Sequence, residues 1–244
     1  IAMVATGIAM LKAIEKTGLK ADICAGLSLG EYEALYLAGA LNEREAIATV
    51  NKRGQFMAEI KEGTMSAVIF PDTDTIEKIV AEIEGVWVAN YNCPGQTVIS
   101  GTKEGVAAAS EKLKEAGAKR VLPLKVSGAF HSGLMKEAGE RLAGVLETVE
   151  IGDIKIPYVA NVNAETVRDK NKVKENLIAQ VSGSVRLEQS IRNMIAFGAD
   201  TFVEIGPGKT MAGFVKKINP DAKIFNIEEY DDVKKVCSQI LEAK

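Results

Sequence analysis

Ala21-Asp22-Ile23-Cys24-Ala25-Gly26-Leu27-Ser28-Leu29-Gly30-Glu31-Tyr32-Glu33-Ala34-Leu35-Tyr36-Leu37-Ala38 decides how this chain is read. The apolar run Ala21 to Ala25 reads as a short buried strand and Glu31 to Ala38 as a helix, so Ser28 falls in a strand-to-helix turn. Gly-x-Ser-x-Gly in that setting is a nucleophile elbow. Its two glycines, Gly26 and Gly30, admit close backbone approach around a tight turn whose strain pushes the hydroxyl outward. The helix that follows aims unpaired N–H groups at whatever the serine attacks, which suits a developing oxyanion. The same string also fits an ordinary tight turn with a capping serine, so its meaning depends on the rest of the chain.

At 244 residues the chain can bury a sizeable core, as one large domain or a large domain carrying a small insertion. With 47% hydrophobic and 26% charged residues, its composition is that of a globular enzyme and not of a disordered or membrane-spanning chain. A net charge of -3 argues against a partner bound mainly through phosphates, so no nucleic acid is expected. Cys24, Cys93 and Cys237 are widely spaced, which suggests neither a disulfide framework nor a zinc site and makes a reducing cytoplasm the expected compartment. Apolar residues at 1, 4, 8, 11 and 14 keep a helical period up to Gly18. The first stretch has no initiator Met, cap or basic n-region, so it reads as the middle of a helix with a segment expected upstream, and as neither a signal peptide nor a membrane span.

After the elbow helix, Asn42 and Glu45 form a capping pair that opens a helix over 43–60 carrying Arg53. The pattern then changes. Residues 63–127 read as β-α-β-β-α-β, with strands at 66–70, 86–91, 96–101 and 120–126 and helices bearing Ile76, Ile79, Val80 and Val106, Leu113. That order is the ferredoxin-like motif. Residues 1–62 and 128–244 form the larger part, in which strands at 156–162, 201–205 and 223–227 alternate with helices. The expected fold is α/β, a hydrolase-like parallel-sheet core with an inserted ferredoxin-like subdomain.

A serine hydroxyl is a weak nucleophile and needs a base within hydrogen-bond reach. The chain has one histidine, His131, in a small-residue stretch where the inserted unit returns to the core. It is either that base or a merely structural imidazole. Arg53 precedes Gly54 in an otherwise helical run, and a glycine there suggests close packing or the close approach of a ligand. A guanidinium can hold a carboxylate through two parallel hydrogen bonds, although an arginine on a solvated helix face would leave the same trace. Gly206-Pro207-Gly208-Lys209-Thr210 invites a nucleotide-binding reading, but the position a P-loop reserves for its first glycine is Val203, so a tight strand-to-helix turn is expected. No carboxylate pair stands at a metal spacing, and no metal is assigned.

Five stretches now add up: Gly26 to Tyr32, Lys52 to Met57, Asn90 to Gly101, Phe130 to Met135 and Val203 to Lys209. In this order they resemble the malonyl-CoA:acyl carrier protein transacylase family of bacterial fatty acid synthesis, over the whole chain. The resemblance implies ping-pong acyl transfer: Ser28 attacks the malonyl thioester of coenzyme A, His131 takes its proton, and Arg53 pairs with the free carboxylate. The phosphopantetheine thiol of acyl carrier protein then collects the malonyl group. It implies no permanently bound cofactor, a monomer, and no membrane or nucleic-acid partner. The Leu29 backbone N–H would be one oxyanion donor. The family supplies a second from a glutamine in a Gly-Gln-Gly loop, which this chain does not contain. Gln180 aligns with a family glutamine near the active site, where an orienting role is implied. The residue before the nucleophile, commonly histidine in the family, is Leu27, so altered packing is expected there. The acidic carrier protein would want cations near the cleft, and Lys136, Arg186, Arg192, Lys216 and Lys217 are candidates.

Two other readings stay open. An α/β-hydrolase esterase or thioesterase shares the elbow, but its histidine usually comes late in the chain, whereas His131 stands mid-chain after an insertion. The other is the acyltransferase domain of a polyketide-type synthase.

Overall fold

The computed structural model describes residues 1–243. Three helices come first, α1 (Ala2–Glu15), α2 (Gly30–Leu37) and α3 (Glu43–Glu59). The apolar period of α1 turns Val4, Ile8, Leu11 and Ile14 inward. α3 begins in a capping box, with Asn42 accepting from the Glu45 N–H and Glu45 reaching back to the Asn42 N–H, so two otherwise orphaned donors are satisfied.

The next stretch contains β1 (Thr64–Ile69), α4 (Thr73–Ala81), β2 (Val86–Cys93), β3 (Gln96–Gly101), α5 (Lys103–Glu115) and β4 (Arg120–Pro123). Its strands form one antiparallel sheet in the order β2-β3-β1-β4. Asp72 and Thr102 cap the two helices through their side-chain oxygens. Ile76, Val80, Val106 and Leu113 pack on Val68, Val86 and Ile99, giving this unit a hydrophobic cluster of its own.

From there the chain continues through α6 (Lys136–Glu147), β5 (Tyr158–Val159), β6 (Thr166–Val167), α7 (Val173–Ser182), α8 (Leu187–Phe197), β7 (Thr201–Ile205), α9 (Thr210–Ile218), β8 (Lys223–Ile227) and α10 (Tyr230–Glu242). The largest cluster joins α1, α2, α3, α6 and α7 through Ile8, Tyr32, Leu35, Val50, Leu142 and Leu177. Burying a leucine such as Leu35 or Leu142 completely contributes ~1.5–3 kcal/mol, so α2, and with it the turn that precedes it, is firmly seated. A second cluster, with Ile23, Val159, Val185, Leu187 and Phe202, lies on the other side of that turn and takes up Leu27.

Helices and strands alternate as an α/β protein should, but parallel pairing is less continuous than the sequence suggests. The parallel ladder is β7 with β8, in register from Thr201 opposite Lys223 to Ile205 opposite Ile227. The expected strand at 21–25 meets the expected strand at 156–162 only around Cys24, whose N–H donates to Pro157 O (3.0 Å) and whose carbonyl accepts from the Val159 N–H (2.9 Å). The physical reason lies in the second segment. Pro157 has no N–H to offer on one side of the bridge, and on the other the Asn161 N–H, the next to face the Cys24 segment, donates to Glu31 Oε2 (3.3 Å), while β5 pairs with β6 along its opposite edge. Asn161 therefore leaves the ladder, and its side chain is free for other work. A second parallel bridge links Asn90 to Val185, with N–H donation from Tyr91 to Val185 O and from Val185 to Ala89 O, tying β2 to the segment ahead of α8.

Candidate active site

Ser28 sits at φ 52°, in the left-handed region that a side chain rarely adopts. Such strain costs on the order of 1–3 kcal/mol and persists only where neighbours hold it. Three hydrogen bonds do so. The Asn161 Oδ1 accepts from the Ser28 N–H (2.7 Å), the Asn161 Nδ2 donates to Gly26 O (2.7 Å), and the Gln180 Nε2 donates to Ser28 O (2.9 Å). The two glycines of the turn differ. A Cβ on Gly26 would overlap the Gly30 carbonyl, whereas one on Gly30 would meet nothing, so close approach is a demand on Gly26 alone and not on both as the motif suggested.

His131 also has a positive φ, 57°, and its Nε2 lies 2.8 Å from Ser28 Oγ. Its Nδ1 lies 2.9 Å from Gln180 O. A carbonyl can only accept, so Nδ1 carries the proton and donates, leaving Nε2 as the acceptor for the serine hydroxyl. Burial drives the imidazole pKa down to about 4, the Arg53 charge pushes the same way, and hydrogen bonding to main chain at Gln180 and Gly183 opposes both. At neutral pH the ring is an uncharged base. Among the described residues no carboxylate bonds to it; the third place is taken by the main-chain carbonyl of Gln180.

Arg53, on α3, is 6% exposed, so it does not lie on a solvated helix face. Its Nη2 donates to Ser28 Oγ (2.9 Å), and its guanidinium lies 6.0 Å from the Tyr32 ring centroid. Burial lowers its pKa, and the nearby Tyr32 and Glu31 groups oppose that shift without either making an ion pair to it. Its Nε has no hydrogen-bond partner, and it makes no ion pair among the described residues. A buried cation without a fixed counter-ion is costly unless an anion arrives to offset it. Gly54 has open space where its Cβ would stand, so close packing within the protein does not explain that glycine.

The remaining sequence candidates are placed as follows. The Leu29 N–H, beside Ser28 at the start of α2, has no hydrogen-bond partner among the described residues. Gln180, fully buried on α7, touches both Ser28 and His131. Gly206 to Thr210 is a strand-to-helix turn whose helix N-terminus is already occupied, since the Glu204 carboxylate accepts from the N–H groups of Met211 (3.0 Å) and Ala212 (2.8 Å). Of the surface cations, Arg192 is paired with Glu188, and Arg186 stacks 5.2 Å from the Tyr91 ring centroid. A cleft of 590 Å³ between α4, β2 and residues 182–184 reaches His131, with Trp87 and Tyr91 on its wall. Among the described residues no cluster of three or more His, Cys, Asp or Glu side chains could hold a metal ion.

Two residues at the site drew no attention in the sequence, Asn161 and Glu31. Asn161 carried a weak signal, an amide inside an otherwise apolar run, which a strand reading treats as an edge. Glu31 was hidden by its position, because an acid in the first turn of a helix looks like a favourable interaction with the helix dipole.

An elbow serine in contact with a neutral imidazole is an arrangement for acyl transfer, and comparison with known families agrees. Residues 1–225 match the family described as acyl transferase domain, and the chain belongs to that family. More particularly, it is 46% identical over 239 residues to the malonyl CoA-acyl carrier protein transacylase of Bacillus subtilis, covering 95% of this chain and 75% of that one. The crystal structure of the Clostridium perfringens protein of the same name superposes with a TM-score of 0.94 at 38% identity, covering 99% of this chain and 78% of that one. A third similar structure, a malonyl-transacylase in complex with a type II PKS acyl-carrier protein, has a TM-score of 0.92 at 34% identity, covering 97% of this chain and 79% of the other.

Proposed function

We propose that this protein transfers the malonyl group from malonyl-CoA to the phosphopantetheine thiol of acyl carrier protein, in fatty acid synthesis, through a malonyl-Ser28 intermediate. Ser28 Oγ attacks the thioester carbon as His131 Nε2 takes its proton. The carbonyl oxygen becomes an oxyanion facing the Leu29 N–H, and the coenzyme A thiolate leaves with the proton that His131 returns. The carrier thiol repeats the steps in reverse: it loses its proton to His131, attacks the acyl carbon, and frees the Ser28 hydroxyl. The 590 Å³ cleft that reaches His131 admits the pantetheine arm common to both thioesters.

The observation that carries this reading is the unpaired Arg53 guanidinium on the nucleophile, 2.9 Å from Ser28 Oγ. The free carboxylate of a malonyl thioester lies about 2.5 Å, two C–C bonds, from the carbon that Ser28 attacks. A cation in contact with Oγ is therefore within reach of that carboxylate. Acetyl offers nothing to it. An ordinary ester hydrolase is disfavoured because His131 Nδ1 donates to the main-chain carbonyl of Gln180, where such an enzyme has a carboxylate. The likeness to a PKS carrier-protein complex keeps a polyketide-type acyltransferase as the second reading.

On the same reading, residues 63–127 are a ferredoxin-like subdomain inserted into a hydrolase-like large subdomain made of 1–62 and 128–244. The protein works as a cytoplasmic monomer, in keeping with its three free buried cysteines. It needs no resident cofactor.

Incubation with malonyl-CoA is expected to add a malonyl mass to the peptide containing Ser28, and holo acyl carrier protein to remove it. No adduct, or equal adducts from acetyl-CoA, overturns the assignment. Steady hydrolysis of simple esters without transfer to a thiol supports an esterase.

A further inference from the structure

Glu31 is fully buried, three residues past the nucleophile. Its Oε2 accepts from Gln180 Nε2 (2.7 Å) and from the Asn161 N–H (3.3 Å), while Oε1 has no partner among the described residues. These two neighbours are the residues that hold the nucleophile and its base. Gln180 Nε2 also donates to Ser28 O, and Gln180 O receives the proton of His131 Nδ1. Asn161 binds the Ser28 N–H and the Gly26 carbonyl. One carboxyl oxygen thus joins the supports of both reacting groups, although Asn161 and Gln180 lie far from Glu31 in sequence.

We propose that Glu31 is a positioning residue of the acyl-transfer site, which acts through Gln180 and Asn161 to keep Ser28 and His131 in contact. The inference rests on the reading of Ser28 as nucleophile. A dipole role for Glu31 is not a sufficient account, because an acid serves the N-terminus of a helix while exposed and loses by complete burial. Nor is simple core filling, since a leucine of similar size would fill the space and leave the Gln180 amide and the Asn161 N–H without their acceptor. Without that acceptor the Gln180 amide is free to leave Ser28 O and Asn161 loses an anchor, so the turn that presents Ser28 Oγ to His131 Nε2 is held less firmly. The acceptor is what counts, and only one of the two carboxyl oxygens is used. A glutamine can therefore place its oxygen at the Oε2 position and its amide nitrogen at the unpartnered one.

The test compares Glu31→Ala, Glu31→Gln and wild type in the rate at which Ser28 is modified, by malonyl-CoA in single turnover and by a fluorophosphonate that reports serine reactivity without an acyl substrate. Glu31→Ala is expected to slow both modifications about 10–100-fold, the loss typical of a misplaced reacting group, with half-saturation by malonyl-CoA unchanged. Glu31→Gln should recover most of the rate. In a Gln180→Met background, which keeps the carbonyl that binds His131, Glu31→Ala should add much less than it does alone. Wild-type rates in a folded Glu31→Ala variant, a Gln variant as slow as Ala, or full additivity with Gln180→Met overturn the proposal. If Glu31→Ala does not fold, Glu31→Asp, which withdraws the carboxyl by one methylene, takes its place under the same criteria. A wild-type enzyme labelled by the phosphonate but not by malonyl-CoA defeats the malonyl reading and leaves the role of Glu31 standing.

Discussion

Ser28 and His131, 103 positions apart in the chain, both adopt left-handed backbone and meet at 2.8 Å between Oγ and Nε2. Each turns its side chain out of a strained bend toward the other, so the contact is made by rigid backbone geometry more than by flexible rotamers. Ser28→Ala is expected to abolish the malonyl adduct. His131→Ala should slow its formation by about 10²–10⁴, the usual worth of a general base, as read by intact-protein mass spectrometry.

Arg53 is the proposed source of selectivity for a diacid. Arg53→Met, which keeps much of the volume and removes the charge, should reduce malonyl transfer far more than acetyl transfer. Malonyl-CoA should raise the melting temperature of wild type and not of the variant, because a ligand stabilises only through the state that binds it. Equal losses for both acyl groups would make Arg53 purely structural.

The two glycines of the elbow should answer differently to alanine. Gly26→Ala forces a Cβ into the Gly30 carbonyl and is expected to destabilise by on the order of 3 kcal/mol. Gly30→Ala has open space at the first position of α2 and should leave stability unchanged or raise it by up to ~1 kcal/mol through helix propensity. Urea denaturation of the two variants separates these outcomes.

Burial lowers the pKa of His131 to about 4, so the acid limb of kcat/KM that belongs to this base should lie well below pH 6.5. Linkage gives the sign for stability. Between pH 6.5 and about 4 the unfolded chain takes up a proton that folded His131 refuses, so this contribution is complete above pH 6.5 and is lost as pH falls through the window. Glu31 and Glu33 act oppositely: burial raises each from 4.5 to about 7, and their contributions are lost as pH rises through that range. His131→Gln should therefore make the slope of stability against pH more negative by removing a positive contribution, and Glu31→Gln should make it less negative by removing a negative one. Denaturation midpoints from pH 4.5 to 7 would show whether the two variants move it in opposite directions.

Much of this site can be located from local sequence. The elbow string identifies Ser28 because its geometry arises within five residues, and a chain with a single histidine leaves no choice of imidazole. Helix boundaries likewise follow from nearby caps, as at Asn42, Asp72 and Thr102. Arg53 was ambiguous, since helical spacing alone does not tell a buried face from a solvated one where the residue is charged. Gln180 came into view through the ordered motifs and not through its own surroundings.

Local order in this protein was determined by the sequence itself: the turn around Ser28 and the capped helices arise from contacts between near neighbours in the chain, and the β-α-β-β-α-β succession of residues 63–127 follows from local patterning, although its strands pair over long separations, as where Ser66 stands opposite Pro123. The tertiary structure alone decided how the elbow is held. Asn161 bonds to Ser28 across 133 positions and Gln180 across 152, and no periodicity carries information over such separations. It also decided that Gly26 is sterically required and Gly30 is not, that parallel pairing at Cys24 stops where Pro157 offers no N–H and the Asn161 N–H turns to Glu31, and that Glu31 faces inward. Each of these depends on which distant segment occupies the neighbouring space, and that is settled only when the two clusters flanking the elbow close around it.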